Sequence, residues 1–598
     1  MTIDLDVGEV YVISDPDSLA EFELPGAAAA REYGLALQSA TPAAGSLPFS
    51  FTGRAGASAS AGVRASYAYS APTGGAVQEL LLDERDGRGS FVERQRSWLA
   101  TVRLQQRAWA ELDRIGARIA QPGAGRVART AAARAETGAG ADLRAASVPV
   151  PGEEVEFFIP IDEDLNIACD STNRVVQAEV RSVGERFIIA RDTQGADPFT
   201  DQIYAQLQAM LDDHIHRVGT AYFGETADLD ANERVIVLIT EEVNKLEDPT
   251  GSLIFLGFFL PTDLYSPADC AASNVAEIVY LRAPDPNGDF GRETSVESAI
   301  EILESTTAHE FQHLINAEQR FVIGNEQIAR NEEIWLNEGL SHLAEEVVGL
   351  SVMGEPVRAN LGIDEILANR DAFNTFLIDN FFHLGSTAQS DEGCDGWMID
   401  PENSVGIISF DPPGCGSLTM RGWSYLFVRW LGDQEGPAGS GAIPGSNEQL
   451  FFRELARGGP SHLAGRANVE QAVATFGSGA SWEELMADFL LMPAVDDQPG
   501  PSLPERSQLL TWDLRDLYRG LHENTGTSPA FPQPYPLKQQ IILFSDVDFD
   551  FSVRGSSAKY FSLLATTTAP AYVIRVTDQA GEPLARTRSP QLTIVRLR

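Results

Sequence analysis

Two histidines four residues apart, with a glutamate directly after the first, constrain this chain more than any other feature. They lie in Thr307-Ala308-His309-Glu310-Phe311-Gln312-His313-Leu314-Ile315-Asn316. On a helix, positions i and i+4 stack on one face a turn apart, so His309 and His313 can grip one ion from the same side. Imidazole nitrogens suit Zn²⁺. Glu310 then lies close to a metal-bound water without being a ligand, placed to take its proton and hand it to a leaving amine. Zinc lowers the pKa of such a water toward about 7 and polarises the carbonyl under attack. The motif alone does not decide. A chance occurrence is expected in on the order of one chain in a hundred of this size and histidine content, and a helix with two exposed histidines reads the same.

A third donor lies downstream. Glu332-Glu333-Ile334-Trp335-Leu336-Asn337-Glu338-Gly339-Leu340-Ser341-His342-Leu343-Ala344-Glu345-Glu346 carries apolar residues at helical spacing, which predicts a second buried helix. Glu338 on it can face the first helix and complete a His₂Glu set, with the fourth position left for water.

At these residues the sequence resembles the gluzincin metallopeptidases, and the runs HEFQHLIN and WLNEGLSHLAEE look most like the bacterial hyicolysin family. The resemblance is clearest over about 199–350. It implies zinc ligands His309, His313 and Glu338, Glu310 as general base, protein or peptide substrates, and a thermolysin-like catalytic core of mixed sheet plus helical subdomain. WLNEG also occurs in gluzincin aminopeptidases, but the Gly-x-Met-Glu-Asn segment that holds a substrate amine there is missing from the sequence, which favours an endopeptidase. In enzymes of this type the strand before the zinc helix, here Ala276–Leu281, is commonly an edge to which extended substrate adds.

Two positions depart from the pattern. Thermolysin-like enzymes carry an Asp four residues after the ligand Glu, to orient a zinc histidine, and His342 stands there. Glu304, Glu345 or Glu346 must then do that work. Gluzincins also supply a Tyr or His to the oxyanion. The position expected to hold it is Thr419. Tyr425 is the substitute candidate, in a helix whose Trp423, Leu426, Phe427 and Trp430 would equally make it a core tyrosine. His383 and Arg421 are further candidates.

Composition narrows the setting. The 44 Lys+Arg against 86 Asp+Glu give a net charge of −42 over 598 residues. Such acidity argues against a nucleic-acid partner, whose affinity comes from cations on phosphate. No stretch reaches the ~18 apolar residues of a membrane span. Met1 to Ser18 has no basic residue, so it cannot be a signal peptide. The expectation is an exported bacterial protein, extracellular, cell-surface or periplasmic, with its signal removed, acting as a monomer. Cys394 and Cys415 flank a Gly/Pro/Asp-rich stretch and are expected to pair, which leaves Cys169 with Cys270. Four unbridged buried thiols are the alternative.

The period of the apolar residues changes along the chain. It predicts a multidomain α+β protein: a β domain over 1–80, a helix and Ala/Gly/Arg-rich linker over 81–148, a small β-barrel-like domain over 149–198, the zinc peptidase domain over 199–528 and a β-sandwich over 529–598. Asp228-Leu229-Asp230-Ala231-Asn232 places oxygens at Asp228, Asp230 and Asn232 as a calcium loop does, although Glu233 stands where such a loop wants Gly. A β-turn reads equally well. His214 and His216 diverge on a helix and are not expected to ligate. Two rival readings stay open: a zinc-holding adhesion protein without turnover, and a latent zymogen activated by cleavage in 119–148.

Overall fold

The computed structural model describes residues 1–41, 46–55, 148–161, 167, 169, 174–247, 255–324, 330–386, 417–524, 531, 533–537, 539–566 and 569–598. The expected helix and linker of 81–148, the 119–148 cleavage region, Cys394 and Cys415 lie outside these residues.

In chain order the strands are β1 (Val10–Ile13), β2 (Phe22–Leu24), β3 (Arg31–Ser39), β4 (Ser46–Ala55), β5 (Glu154–Phe158), β6 (Val175–Val183), β7 (Phe187–Asp192), β8 (Val235–Thr240), β9 (Gly257–Phe259), β10 (Ile278–Arg282), β11 (Gln540–Leu543), β12 (Val547–Arg554), β13 (Ser557–Ala565), β14 (Tyr572–Thr577) and β15 (Pro590–Arg596). The helices that frame the site are α1 (Asp201–Met210, running on through Leu211–His216 and Arg217–Phe223), α2 (Val296–Ala317), α3 (Ile334–Met353), α4 (Ile378–Ser386), α5 (Ser417–Glu435) and α6 (Trp482–Val495). The chain is thus mixed α+β with several sheets. Among the described residues no helix is long and apolar enough to cross a membrane.

A six-stranded sheet, in the order β5-β6-β7-β8-β10-β9, carries α2. Strands β7, β8 and β10 run parallel, and the outer pairings are antiparallel. The run Val-Ile-Val-Leu-Ile-Thr of β8 is buried throughout, as a strand covered on both faces requires. Its Val237 and Ile239 join Phe311 of α2 in one core, while Ile236 and Leu238 join Ile278 and Tyr280 in another. Burying a side chain the size of Phe311 contributes roughly 2–3 kcal/mol, so sheet and helix hold each other.

Three expectations change here. The segment 149–198 does not close on itself as a barrel. Its β7 is buried along its whole length and pairs parallel with β8, so it extends the six-stranded sheet. The two terminal β segments do not stand apart either. Strand β3 lies between β13 and β15, and β4 lies between β12 and β14. Both ends of the chain therefore build one sandwich, with Leu35, Leu37, Phe49, Phe51, Phe561 and Ile574 in the core between its sheets. The opposite face of its larger sheet sits on α6: Trp482 Nε1 donates to Ala40 O at 2.7 Å, and Tyr560 Oη donates to Leu490 O at 2.7 Å. Lastly, β10 is not the edge of the six-stranded sheet. The three-residue β9 pairs antiparallel with it and takes the edge.

Cys169 is disulfide-bonded to Cys270. The bond ties the loop after β5 to the loop before β10.

Candidate metal centre

Helix α2 starts where the Ser295 hydroxyl accepts from Ser298 N–H, the usual first-turn cap. Helix α3 stops at Gly354, whose φ of 74° suits a left-handed cap. From Trp335 to Leu350 every residue of α3 is buried, as expected of a helix covered on all sides. Gly339 lets it be covered so closely. A Cβ there would lie 2.9 Å from Ser424 O of α5. The Gly of the Asn-Glu-Gly run thus allows α5 to cross directly over Glu338.

This crossing brings three donors to one point. His309 Nε2 and His313 Nε2 are 3.2 Å apart. Glu338 Oε2 is 3.4 Å from the first, and Oε1 is 3.8 Å from the second. Ligands about 2.0–2.1 Å from a tetrahedral ion are themselves about 3.3–3.4 Å apart, so the spacing fits one shared ion. The hydrogen bonds point the same way. His309 Nδ1 donates to Glu345 Oε1 at 2.7 Å, so in the neutral ring Nε2 carries a lone pair. That lone pair faces a carboxylate and a second imidazole nitrogen. Alone the three repel, whereas around a cation they are ligands. The chemistry of the donor set and its spacing therefore fit zinc.

A ring of ion pairs and hydrogen bonds braces the three donors. Arg421 Nη1 lies 2.8 Å from Glu338 Oε2 and donates to His342 Nε2 at 3.3 Å. His342 Nδ1 donates to Glu345 Oε2 at 3.1 Å, and Glu345 returns the path to His309. Among Glu304, Glu345 and Glu346, then, it is Glu345 that touches a histidine of α2. His342, standing where the family has Asp, is a link in this ring. On the other side Ser341 Oγ donates to Gln312 Oε1 at 2.6 Å and lies 3.1 Å from His313 Nδ1.

The charges follow from burial. Desolvation raises Glu338, but Arg421, His309 and His313 outweigh it and hold its carboxyl well below the usual range. Burial pushes Glu345 up to about 7 against the hydrogen bond from His309. His313 and His342 are both held down to about 3, chiefly by burial. At neutral pH those two rings are neutral and able to donate lone pairs.

Glu310 is buried beside the cluster. Its Oε2 accepts from Phe259 N–H at 2.9 Å, so the edge strand β9 holds the carboxylate in place. Nothing in the sequence signalled that contact, because a strand of three residues has no alternation to read.

Tyr425 is not brought to the cluster. Its hydroxyl donates to Glu346 Oε1 at 2.8 Å, and its ring meets Phe381 edge-on. The reason is its place along the helix: Arg421, Tyr425 and Arg429 share one face of α5 at four-residue spacing, and the first of these meets Glu338 while the other two, further along, meet Glu346. His383 stacks edge-on to His342 with ring centres 5.4 Å apart, and burial holds it well below its usual pKa. His214 Nδ1 is 3.0 Å from Ser351 Oγ, whereas His216 stacks on Phe311. Asp228 and Asp230 do come together, but with Glu277. Asn232 braces Asp230: its Nδ2 donates to Asp230 Oδ2 at 2.6 Å, and its Oδ1 accepts from Arg234 N–H.

No protein-family model matches the chain. Over 146 residues it is 31 % identical to the neutral metalloprotease ShpI of Staphylococcus hyicus, a stretch covering 24 % of this chain and 31 % of that protein. The likeness is to a metalloprotease. Among the described residues, His309, Glu310 and His313 form one group whose ligand atoms are close enough to hold a metal ion. The chain spans about a third of that relative's length.

Proposed function

We propose that the chain is a zinc metalloendopeptidase of the gluzincin type, close to the hyicolysin family, with a thermolysin-like core. His309, His313 and Glu338 are its zinc ligands and Glu310 is its general base. The observation that carries this reading is the meeting of His309 Nε2, His313 Nε2 and Glu338 within 3.2–3.8 Å at one buried point. When bound, zinc supplies a Lewis acid that activates water and polarises a substrate carbonyl.

The chain's own residues do the rest. Glu310, fixed through Oε2 by Phe259 N–H, takes the proton of the attacking water on Oε1 and returns it to the nitrogen of the departing amine. Glu345 holds His309 in the tautomer that presents Nε2. Arg421 offsets the charge of Glu338 and is the cation best placed to meet negative charge on the substrate carbonyl oxygen. An extended peptide adds along β9, the edge strand, so recognition is largely through backbone hydrogen bonds.

A peptide-library digest with and without a zinc chelator tests the reading. Cleavage inside N-blocked peptides, lost on chelation and restored by Zn²⁺, is the expected result. Intact peptides at full zinc occupancy would instead point to a binding protein that keeps the metal without turnover.

A further inference from the structure

Outside this centre the fold gathers a second cluster of carboxylates. Three segments supply it: the loop between α1 and β8 brings Asp228 and Asp230, the residue before β10 is Glu277, and Glu318 follows directly on α2. Asp228, Asp230 and Glu277 each bring one carboxylate oxygen within 4.8 Å of the others. Oxygens around a calcium ion lie about 2.3–2.6 Å from it, so oxygens of one shell are at most roughly 5 Å apart.

The two glutamates are oriented in the same way. Glu277 Oε1 accepts from Leu229 N–H at 2.6 Å, and Glu318 Oε2 accepts from Ala227 N–H at 3.0 Å. Their other oxygens, Glu277 Oε2 and Glu318 Oε1, have no hydrogen-bond partner among the described residues, although Glu277 is 1 % exposed and Glu318 is 0 % exposed. Loop amides thus fix one oxygen of each carboxylate, and the two glutamates otherwise meet only each other, carboxyl against carboxyl. Such atoms are costly to bury unless something positive meets them. Asp230 is steadied by Asn232, whose backbone N–H and side-chain amide both donate to it.

We infer that Asp228, Asp230, Glu277 and Glu318 form a binding site for a hard divalent cation of the calcium kind, separate from the zinc centre. The donors are all oxygen, which selects Ca²⁺ over softer metals. Burial, with the charge of neighbouring carboxylates added, pushes Glu277 and Glu318 upward. In the absence of a cation the pair must share a proton instead. Because Glu318 lies five positions beyond His313, the ion braces the end of the zinc helix against the loop that enters β8. The assignment does not depend on the zinc reading.

Calcium titration of the zinc-saturated full chain tests it, by calorimetry and by thermal unfolding, for the wild type, Glu277→Gln and Asp228→Asn. The wild type is expected to bind Ca²⁺ and to gain roughly 2 °C in midpoint at a hundredfold excess over Kd. Both variants should bind at least tenfold more weakly, and Glu277→Gln should be no less stable than the wild type in calcium-free buffer. Asp228 is only half-buried, so its variant tests the site even if the Glu277 variant folds poorly. Wild type without binding heat or midpoint shift up to roughly 10 mM, above the weakest calcium modules, would overturn the site. So would variants that keep wild-type affinity.

Discussion

Glu338 and Glu346 lie about two turns apart on α3 and both face α5, yet their surroundings obey different rules. Around Glu346 every carboxylate oxygen has a donor. Glu346 takes Tyr425 Oη, Trp512 Nε1 and Arg429; Asp433 takes Arg429, Thr511 and the amide of Leu510; Glu448 takes Arg429 and Tyr222 Oη. Around Glu338, one guanidinium and two imidazole nitrogens meet, and at least one of those nitrogens presents a lone pair instead of a proton. A buried ionic network with its carboxylate oxygens matched is architecture. A buried cluster with lone pairs in excess is a place for a cation. The carboxylates at Asp228 and Glu277 follow the second pattern with oxygens alone.

The comparison breaks most visibly at Arg429. Arg429→Met leaves three buried carboxylates without their cation and should cost about 3–5 kcal/mol of stability, read from denaturant unfolding of the zinc-loaded protein. A loss below about 1 kcal/mol would mean the network is not structural. The next largest effect is expected at Glu345→Gln, which removes the charge that orients His309. Zinc affinity should fall about tenfold or more with the fold intact, measured by competition with a chelating dye. Unchanged affinity would remove Glu345 from the centre. Tyr425→Phe should do least, costing about 1 kcal/mol of stability for one lost hydrogen bond while kcat stays within a factor of a few. Were Tyr425 the oxyanion donor, kcat would drop by roughly 10²–10³, so this variant separates the two clusters cleanly.

Much of the centre was legible because it is local. His309, Glu310 and His313 sit within two turns of one helix, and Glu338 lies in a run whose apolar spacing announces a second helix. What lay beyond reach depends on how helices turn against each other. Glu345 and Glu346 are neighbours about 100° apart around α3, and only the crossing of α3 with α5 decides which meets His309 and which meets Arg429. Arg421 left a trace in the sequence, since Arg421, Tyr425 and Arg429 form a polar stripe on an otherwise apolar helix. The stripe does not say which of the three faces the ligands.

The sheets show the same limit. Alternation revealed the strands of both chain ends and the face each buries, but not their partners. Pairing β3 with β15 joins residues such as Leu37 and Leu592, a separation no local pattern encodes. Strand β9 escaped notice because three residues carry no period, and its presence moved the edge of the six-stranded sheet from β10 to Gly257–Phe259.

The central claim is that His309, His313 and Glu338 hold zinc while Glu310 moves the proton. Zinc stoichiometry and peptide hydrolysis, measured together on Glu310→Gln, test it most directly. The expected result is one zinc per chain, as in the wild type, with hydrolysis reduced by at least about 10²–10⁴. Hydrolysis at the wild-type rate with zinc in place would contradict the role of Glu310, and a wild-type chain that takes up no zinc would contradict the centre itself.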